Sequence, residues 1–322
     1  MIESPQAESR ATPDGHQPVL AEETLQALAV RADGVYLDAT FGRGGHSRLI
    51  LAQLGAAGRL IALDRDPQAI AAAKSLADTR LTVVKARFSE FPQVLDALDI
   101  RYVDGVLLDL GVSSPQLDDA SRGFSFRAKG PLDMRMDPGS GESVRQWLGR
   151  ASESDIAGVL ENYGEERLAV PIAKAIAARL RRDGDAALCT TTELAELVAT
   201  VVRGRRGGAT PGRDPATRTF QALRIFINQE FEELDRALKA ARDRLAPQGR
   251  LAVISFHSLE DRMVKQFIAN ESGRHAPRDP VTGAVLPVPQ SFRAVGRWLA
   301  SPAEVARNPR ARSAVLRAAE HL

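Results

Sequence analysis

The chain has almost no cysteine: Cys189 stands alone among 322 residues. No disulfide can form within it, which fits a reducing compartment, and no cysteine cluster exists to hold zinc or an iron–sulfur centre. The five histidines (His16, His46, His257, His275, His321) lie too far apart in sequence to make a spaced metal motif, so no metal is expected. Long apolar runs are also missing. None approaches the roughly 20 residues that a bilayer span requires, and no membrane partner is expected. Nor is there an excess of one charge. Lys and Arg number 43 against 41 Asp and Glu, a formal net charge of +2, so a nucleic-acid surface would have to arise from local clustering. Met1 to Gly15 is polar, contains proline, and resembles neither a signal peptide nor an Arg-rich transit peptide. Residues 1–15 read as a disordered tail on a cytoplasmic protein.

Hydrophobic residues make up 44 %, enough for a packed core. From residue 35 the chain alternates short apolar strands with helices. Val35–Asp38, Arg59–Asp64, Leu81–Val84 and Gly105–Asp109 read as strands. His46–Leu54 and Pro67–Leu76 read as helices, the second with Asp66 as N-cap and Pro67 at its first position. Strands this apolar, alternating with helices, predict a Rossmann-like α/β fold, mostly parallel and covered on both faces. No strand is expected between about Leu117 and Arg213. Helical patterns occupy 144–148, 152–161, 165–182 and 190–202, the last opened by the capping box Thr190–Glu193. A Gly/Arg-rich loop and a long helical pattern over 217–245 follow. Strand grammar returns at Arg250–Phe256, then a helix over 258–269, a loop-like stretch over 273–291, and a final edge strand at Ala314–Ala318. The simplest architecture is one α/β domain, residues 16–117 plus 215–322, interrupted by an all-helical substrate-recognition insertion at 118–214.

Asp38-Ala-Thr-Phe-Gly42-Arg-Gly44-Gly45-His46 is a strand, a glycine-rich turn and a helix start, an arrangement that lets backbone approach a nucleotide closely. Asp64 ends the next strand about 20 residues past Gly44, where a carboxylate can accept both ribose hydroxyls of an adenosine. Position 47 is Ser, so the dinucleotide spacing G-x-G-x-x-G is absent, which disfavours a nicotinamide dehydrogenase. A ligand without phosphates fits better, and acidic Asp38 suits a cationic sulfonium: S-adenosylmethionine meets both conditions. Asp109 ends the fourth strand, beside the first at the switch point of a doubly wound sheet. Phe88 either stacks on adenine or is an ordinary core aromatic.

Ser113, Ser114 and Pro115 follow Asp109, where amine-directed methyltransferases carry a small polar residue before proline. Such a loop can hold a planar amine by accepting its N–H groups, and orientation alone can supply up to roughly 7–11 kcal/mol of the barrier reduction. Asp109, Ser113, Ser114 and Pro115 are the candidate catalytic set; which serine faces the base is open. Methylation of a pyrimidine C5 needs a thiolate, and Cys189 lies in the insertion, so an exocyclic nitrogen is preferred. Arg203, Arg205, Arg206, Arg213, Arg218 and Arg224 form one basic cluster, and Arg293, Arg297, Arg307, Arg310, Arg312 and Arg317 a second. Each is either a phosphate-binding surface or a solvated basic face, with Arg203, Arg205, Arg206, Arg218, Arg310 and Arg312 as the RNA-binding candidates. Trp298, Phe124 and Phe126 either stack on bases or are core. His257 either touches RNA or caps the helix after it.

These blocks, together with His16-Gln-Pro-Val-Leu20, Leu63-Asp-Arg-Asp-Pro67, Leu107–Asp118, Arg122–Phe126, Gly130–Asp137, Tyr163–Arg167, Pro215–Arg224, Val253–Arg262 and Asn308–Ser313, run in order along nearly the whole chain. The sequence resembles the RsmH (MraW) family of bacterial 16S rRNA cytosine-N4 methyltransferases. The resemblance implies S-adenosylmethionine contacts at Gly44, Gly45, His46, Asp64, Phe88, Asp109 and Gln116. It implies methylation of a decoding-site cytidine of 16S rRNA in the small ribosomal subunit, and a helical insertion that helps recognise it. Three departures stand out: Asp214 where the family often has His, Lys129 where an acid is common, and a longer tail before His16. A non-catalytic, cofactor-binding RNA or ribosome-assembly factor is the alternative reading, and a homodimer is left open.

Overall fold

The computed structural model describes residues 18–204, 214–277, 279, 282–283 and 286–322. His16, Arg205, Arg206, Arg213 and the tail 1–15 lie outside the described residues. The chain forms two compact units, one running to Leu110 and resuming at Asp235–Leu322, the other Gly111–Leu234.

The first unit opens with α1 (Ala21–Leu28), then β1 (Val35–Asp38), α2 (Gly45–Gln53), β2 (Arg59–Asp64), α3 (Pro67–Ala73), β3 (Leu81–Lys85), α4 (Phe91–Ala97) and β4 (Val103–Asp109). Asp66 caps α3 as expected, its carboxylate accepting from Gln68 N at 2.9 Å. The second unit contains α5 (Ser114–Asp118), α6 (Val144–Arg150), α7 (Glu153–Gly164), α8 (Ala169–Asp183), α9 (Thr191–Arg203) and α10 (Thr217–Asn228). The single pattern read over 217–245 is in fact two helices, because Gln229 takes a left-handed φ of 55° and ends α10 before α11 (Glu230–Arg244). The chain then adds β5 (Leu245–Ser255), α12 (Ser258–Glu271), β6 (Phe292–Leu299), α13 (Pro302–Arg307) and β7 (Val315–His321).

The seven strands order as β3-β2-β1-β4-β5-β7-β6. β1 to β5 pair in parallel, and β7 alone runs against its neighbours β5 and β6. The expected mostly parallel α/β sheet is therefore present, with two corrections at its end. Residues 315–321 are an interior strand, and the edge is β6, which sequence reading left unassigned. β6 hides its pattern because residues 293, 295, 297 and 299 are exposed and a bulge interrupts the pairing between Ala294 and Gly296. Leu107, Ala252, Ile254 and Leu316 on one face of the sheet join Leu20, Leu28, Ile50 and Leu54 in one core. α12 packs on β5, β6 and β7, its Asp261 paired with Arg317 on the opposite face.

The second unit has its own core of Trp147, Leu148, Ile156, Leu160, Ile172, Ile176, Leu194 and Val198, together with Phe220 and Leu223 from α10. That shared core is why this unit extends past the 118–214 limits read from the sequence. Phe124 is buried here and Phe126 packs edge-on against Phe220 at 4.8 Å, so both are core aromatics. No described helix is long and apolar enough to cross a membrane.

Candidate active site

The chain leaves β1 at Asp38 and turns into α2 through a loop pinned to both neighbouring strands. Ala39 N donates to Leu107 O in β4 at 3.0 Å, and Phe41 N donates to Leu63 O in β2 at 2.8 Å. Gly44 has a positive φ of 71°, and a Cβ on it would sit 2.7 Å from the Phe41 ring, so a side chain is excluded twice over. Gly42, also at positive φ, turns its N–H onto Asp64 Oδ2 at 2.8 Å. The glycine turn and the β2 acid are thus one hydrogen-bonded feature.

Three carboxylates end three adjacent strands. In the register Asp38 faces Ala62 in β2 and Leu107 in β4, which puts Asp64 and Asp109 one pleat further on to either side. Asp38 is 1 % exposed; Ser47 Oγ donates to it at 2.6 Å and Thr40 N at 3.2 Å. Asp64 accepts one backbone N–H on each oxygen, from Gly42 and Asp66, both at 2.8 Å. Asp109 donates its own N–H to Thr40 Oγ1 at 2.7 Å. Its side chain is 28 % exposed, with Oδ2 3.7 Å from His46 Nε2.

Burial dominates the electrostatics. It raises the Asp64 carboxyl above the usual range and pushes Asp38 up to about 6. Asp109 is pushed to about 8 by burial first, then by the charges of Asp38 and Glu260. His46 is pushed down to about 4 by burial, against a hydrogen bond with the Val19 backbone, and is neutral near pH 7. Asp109 Oδ1 and His46 Nε2 are both buried and have no hydrogen-bond partner. Among the described residues no Lys or Arg pairs with Asp38, Asp64 or Asp109, and no group of three or more His, Cys, Asp or Glu could hold a metal ion. Unpaired buried acids disfavour phosphate and favour a ligand that brings positive charge and hydroxyl donors. Each Asp64 oxygen retains lone-pair capacity for a ribose hydroxyl. Phe88 stays half-exposed directly after β3, outside the described core clusters. These residues fit an adenosine carrying a sulfonium.

Ser113, Ser114, Pro115 and Gln116 fall in the second unit. Ser113 N-caps α5, Pro115 occupies its first turn, and buried Gln116 accepts from Ser113 N through Oε1 at 2.9 Å. Among the RNA candidates, Arg203 and Arg312 are exposed, Arg310 is half-buried, and Arg218 donates to Glu165 O at 3.2 Å. Three other cluster members are committed to internal ion pairs: Arg224 with Glu230, Arg293 with Glu320, Arg317 with Asp261. Trp298 packs against the sheet core. His257 caps α12, its Nδ1 accepting from Glu260 N at 3.4 Å. Sequence reasoning missed Thr40, Ser47 and Glu260. The first two lie inside the Asp38–Ser47 block, and the H-x-x-E spacing of a capping box at 257–260 was the available signal for the third.

The family profile of the MraW methylases matches residues 14–322. A Thiobacillus denitrificans protein named ribosomal RNA small subunit methyltransferase H is 58 % identical over 310 residues, covering 95 % of this chain and 97 % of its own. Its namesake in Aromatoleum aromaticum is 58 % identical over 308 residues, with coverages of 95 % and 96 %. Among solved structures, a putative rRNA-methylase from Clostridium thermocellum aligns over 95 % of this chain and 99 % of its own, with a TM-score of 0.43 and 14 % identity. With a match that takes in the glycine turn, the three strand-end acids and the α12 cap alike, the chain belongs to the MraW methylase family.

Proposed function

We propose that the protein transfers a methyl group from S-adenosylmethionine to the exocyclic N4 of a decoding-site cytidine in small-subunit ribosomal RNA. The observation that carries this reading is the convergence of Asp38, Asp64 and Asp109 without a cationic side chain to pair them. Family membership and the names of the relatives support ribosomal RNA as the substrate class.

Bound cofactor supplies an electrophilic methyl on a positively charged sulfur. Asp64 accepts the ribose hydroxyls, Phe88 covers the adenine, and the Gly44–His46 backbone allows close approach. Asp38 and Asp109 offer negative charge to the amino-acid and sulfonium end. The Ser113–Pro115 segment is the proposed acceptor of the N–H groups of the target amine. When bound, the donor would give up its methyl to the amine nitrogen and leave as a neutral thioether, the amine's proton passing to solvent. Arg203, Arg205, Arg206, Arg218, Arg310 and Arg312 are the proposed phosphate contacts. Incubating the protein with labelled S-adenosylmethionine and small subunits from a strain lacking the enzyme should yield N4-methylcytidine in the nucleoside digest. Cofactor binding with no methylated nucleoside would instead favour an assembly factor.

A further inference from the structure

The carboxyl ends of β4 and β5 lie side by side: Asp109 faces Ile254 in the register, and Leu110 N donates to Ile254 O at 3.0 Å. Beyond Ser255 the chain turns into α12, and Glu260 folds back into that turn. Its Oε2 accepts from Phe256 N at 3.0 Å and His257 N at 3.4 Å, and its Oε1 lies 3.0 Å from His257 Nε2. The residue is 2 % exposed. The two backbone N–H groups stabilise the anionic carboxylate. Asp109, at the neighbouring strand end, is held quite differently, with Oδ1 lacking a partner and Oδ2 facing only a neutral imidazole.

We infer that Glu260 is a positioning residue that acts through Asp109 to set the site's preference for the cationic methyl donor over the neutral thioether left after transfer. The inference rests on the cofactor reading above and goes beyond it. The two ligands share the adenosine and the amino-acid end and differ by a methyl and one positive charge at sulfur. Asp109 is faced by Asp38 from β1 and Glu260 from α12, both negative, and by His46 from α2, which is neutral. In the ligand-free site burial and those two neighbours keep the Asp109 carboxyl protonated up to about pH 8. A sulfonium supplies the charge that lets it ionise, and the proton leaves to solvent. A thioether supplies none, so the product is held less firmly against the same site.

The test uses the full chain with S-adenosylmethionine and S-adenosylhomocysteine as probes. Calorimetry at pH 7 in buffers of different ionisation enthalpy should show close to one proton released per donor bound and fewer per product. The ratio of product to donor dissociation constants should rise by up to about tenfold per pH unit between pH 6 and 8, then level off. The sulfonium lowers the pKa of the donor's own amino group, so the titrations of the two free ligands are measured and subtracted from the ratio. Glu260→Gln should move that midpoint down by about one pH unit, with folding checked by its melt. His257→Asn keeps a helix N-cap while removing the contact to Glu260 Oε1, and should move the midpoint the same way by less. Equal proton release for the two ligands, or a ratio that ignores pH, overturns the inference and leaves the cofactor reading standing. So does an unchanged midpoint in whichever variants fold. Failure of both ligands to bind overturns the cofactor reading, and this inference with it.

Discussion

The strand ends of the first unit and the helical core of the second bury the same kinds of polar group and treat them in opposite ways. In the second unit Asn228 is 1 % exposed and fully used: its amide donates to Met134 O at 2.7 Å and Arg224 O at 2.9 Å, and its carbonyl accepts from Met136 N at 2.8 Å. Arg224 meets Glu230 through two bonds of 2.8 Å. At the strand ends Asp109 and His46 face each other with bonding capacity left over. A saturated buried network holds one conformation; an unsaturated one stores capacity for a ligand. That contrast separates scaffold from site more sharply than burial does, since Asp38 and Asn228 are equally buried.

The comparison predicts opposite signs for substitutions in the two regions. Glu230→Ala should destabilise the protein by about 3 kcal/mol, because it removes both bonds between Glu230 and the Arg224 guanidinium in a poorly solvated place. Chemical denaturation would measure it, and a change below about 1 kcal/mol would mean the pair is effectively at the surface. Asp109→Asn should do the reverse for stability, raising the melting temperature near pH 8 by removing a carboxyl that burial disfavours in its charged form. Its methyl transfer should nonetheless fall roughly 100-fold, the loss expected when a charged partner of the reacting centre is neutralised. A variant that loses both stability and activity would place Asp109 in the scaffold class. Asp64→Ala comes next: cofactor affinity should weaken by about 1–3 kcal/mol from unpaired ribose hydroxyls, read by calorimetry. Unchanged affinity would remove Asp64 from the site.

The acids at the strand ends were legible because strand and turn are local patterns: an apolar run closing on Asp, then glycines, specifies both the position and the direction of the side chain. Their electrostatics were not legible, because the shift at Asp109 depends on Glu260, far along the chain, and on a pairing between β4 and β5 that only the fold supplies. The same cause hid β6. Its apolar–polar pattern is broken by a bulge and its outward face is charged, so it reads as loop until β7 gives it a partner. The basic clusters were legible as composition but not as function: sequence cannot distinguish Arg224, spent on Glu230, from Arg312, which stays exposed. The split of the long helical pattern at Gln229 was equally invisible, since glutamine carries no helix-stop signal.

The smallest expected effect is also the most direct reading of the unsaturated region, because it needs no ligand. Asp109 titrates near 3.8 in an unfolded chain and near 8 in the folded one, so between those values the folded state holds the extra proton. Stability from this group is complete below the lower value and is lost as pH rises through the upper one. Asp38 has the same sign but finishes at about 6. His46 has the opposite sign: ordinarily 6.5, about 4 when folded, it withdraws stability as pH falls through that window. Only Asp109 of the three is active between pH 6.5 and 8. Ligand-free protein should therefore melt at a higher temperature as pH is lowered from 8 to 6.5, by at most about 1.4 kcal/mol per pH unit. Between about 6 and 6.5 His46 should flatten the trend, and below about 6 the Asp38 limb should restore its sign. Asp109→Asn should abolish the slope above 6.5 while leaving the His46 limb intact. A wild-type melting temperature that instead rises with pH from 6.5 to 8 would mean that Asp109 is already ionised in the empty site, and the strand ends would then be no less satisfied than the helical core.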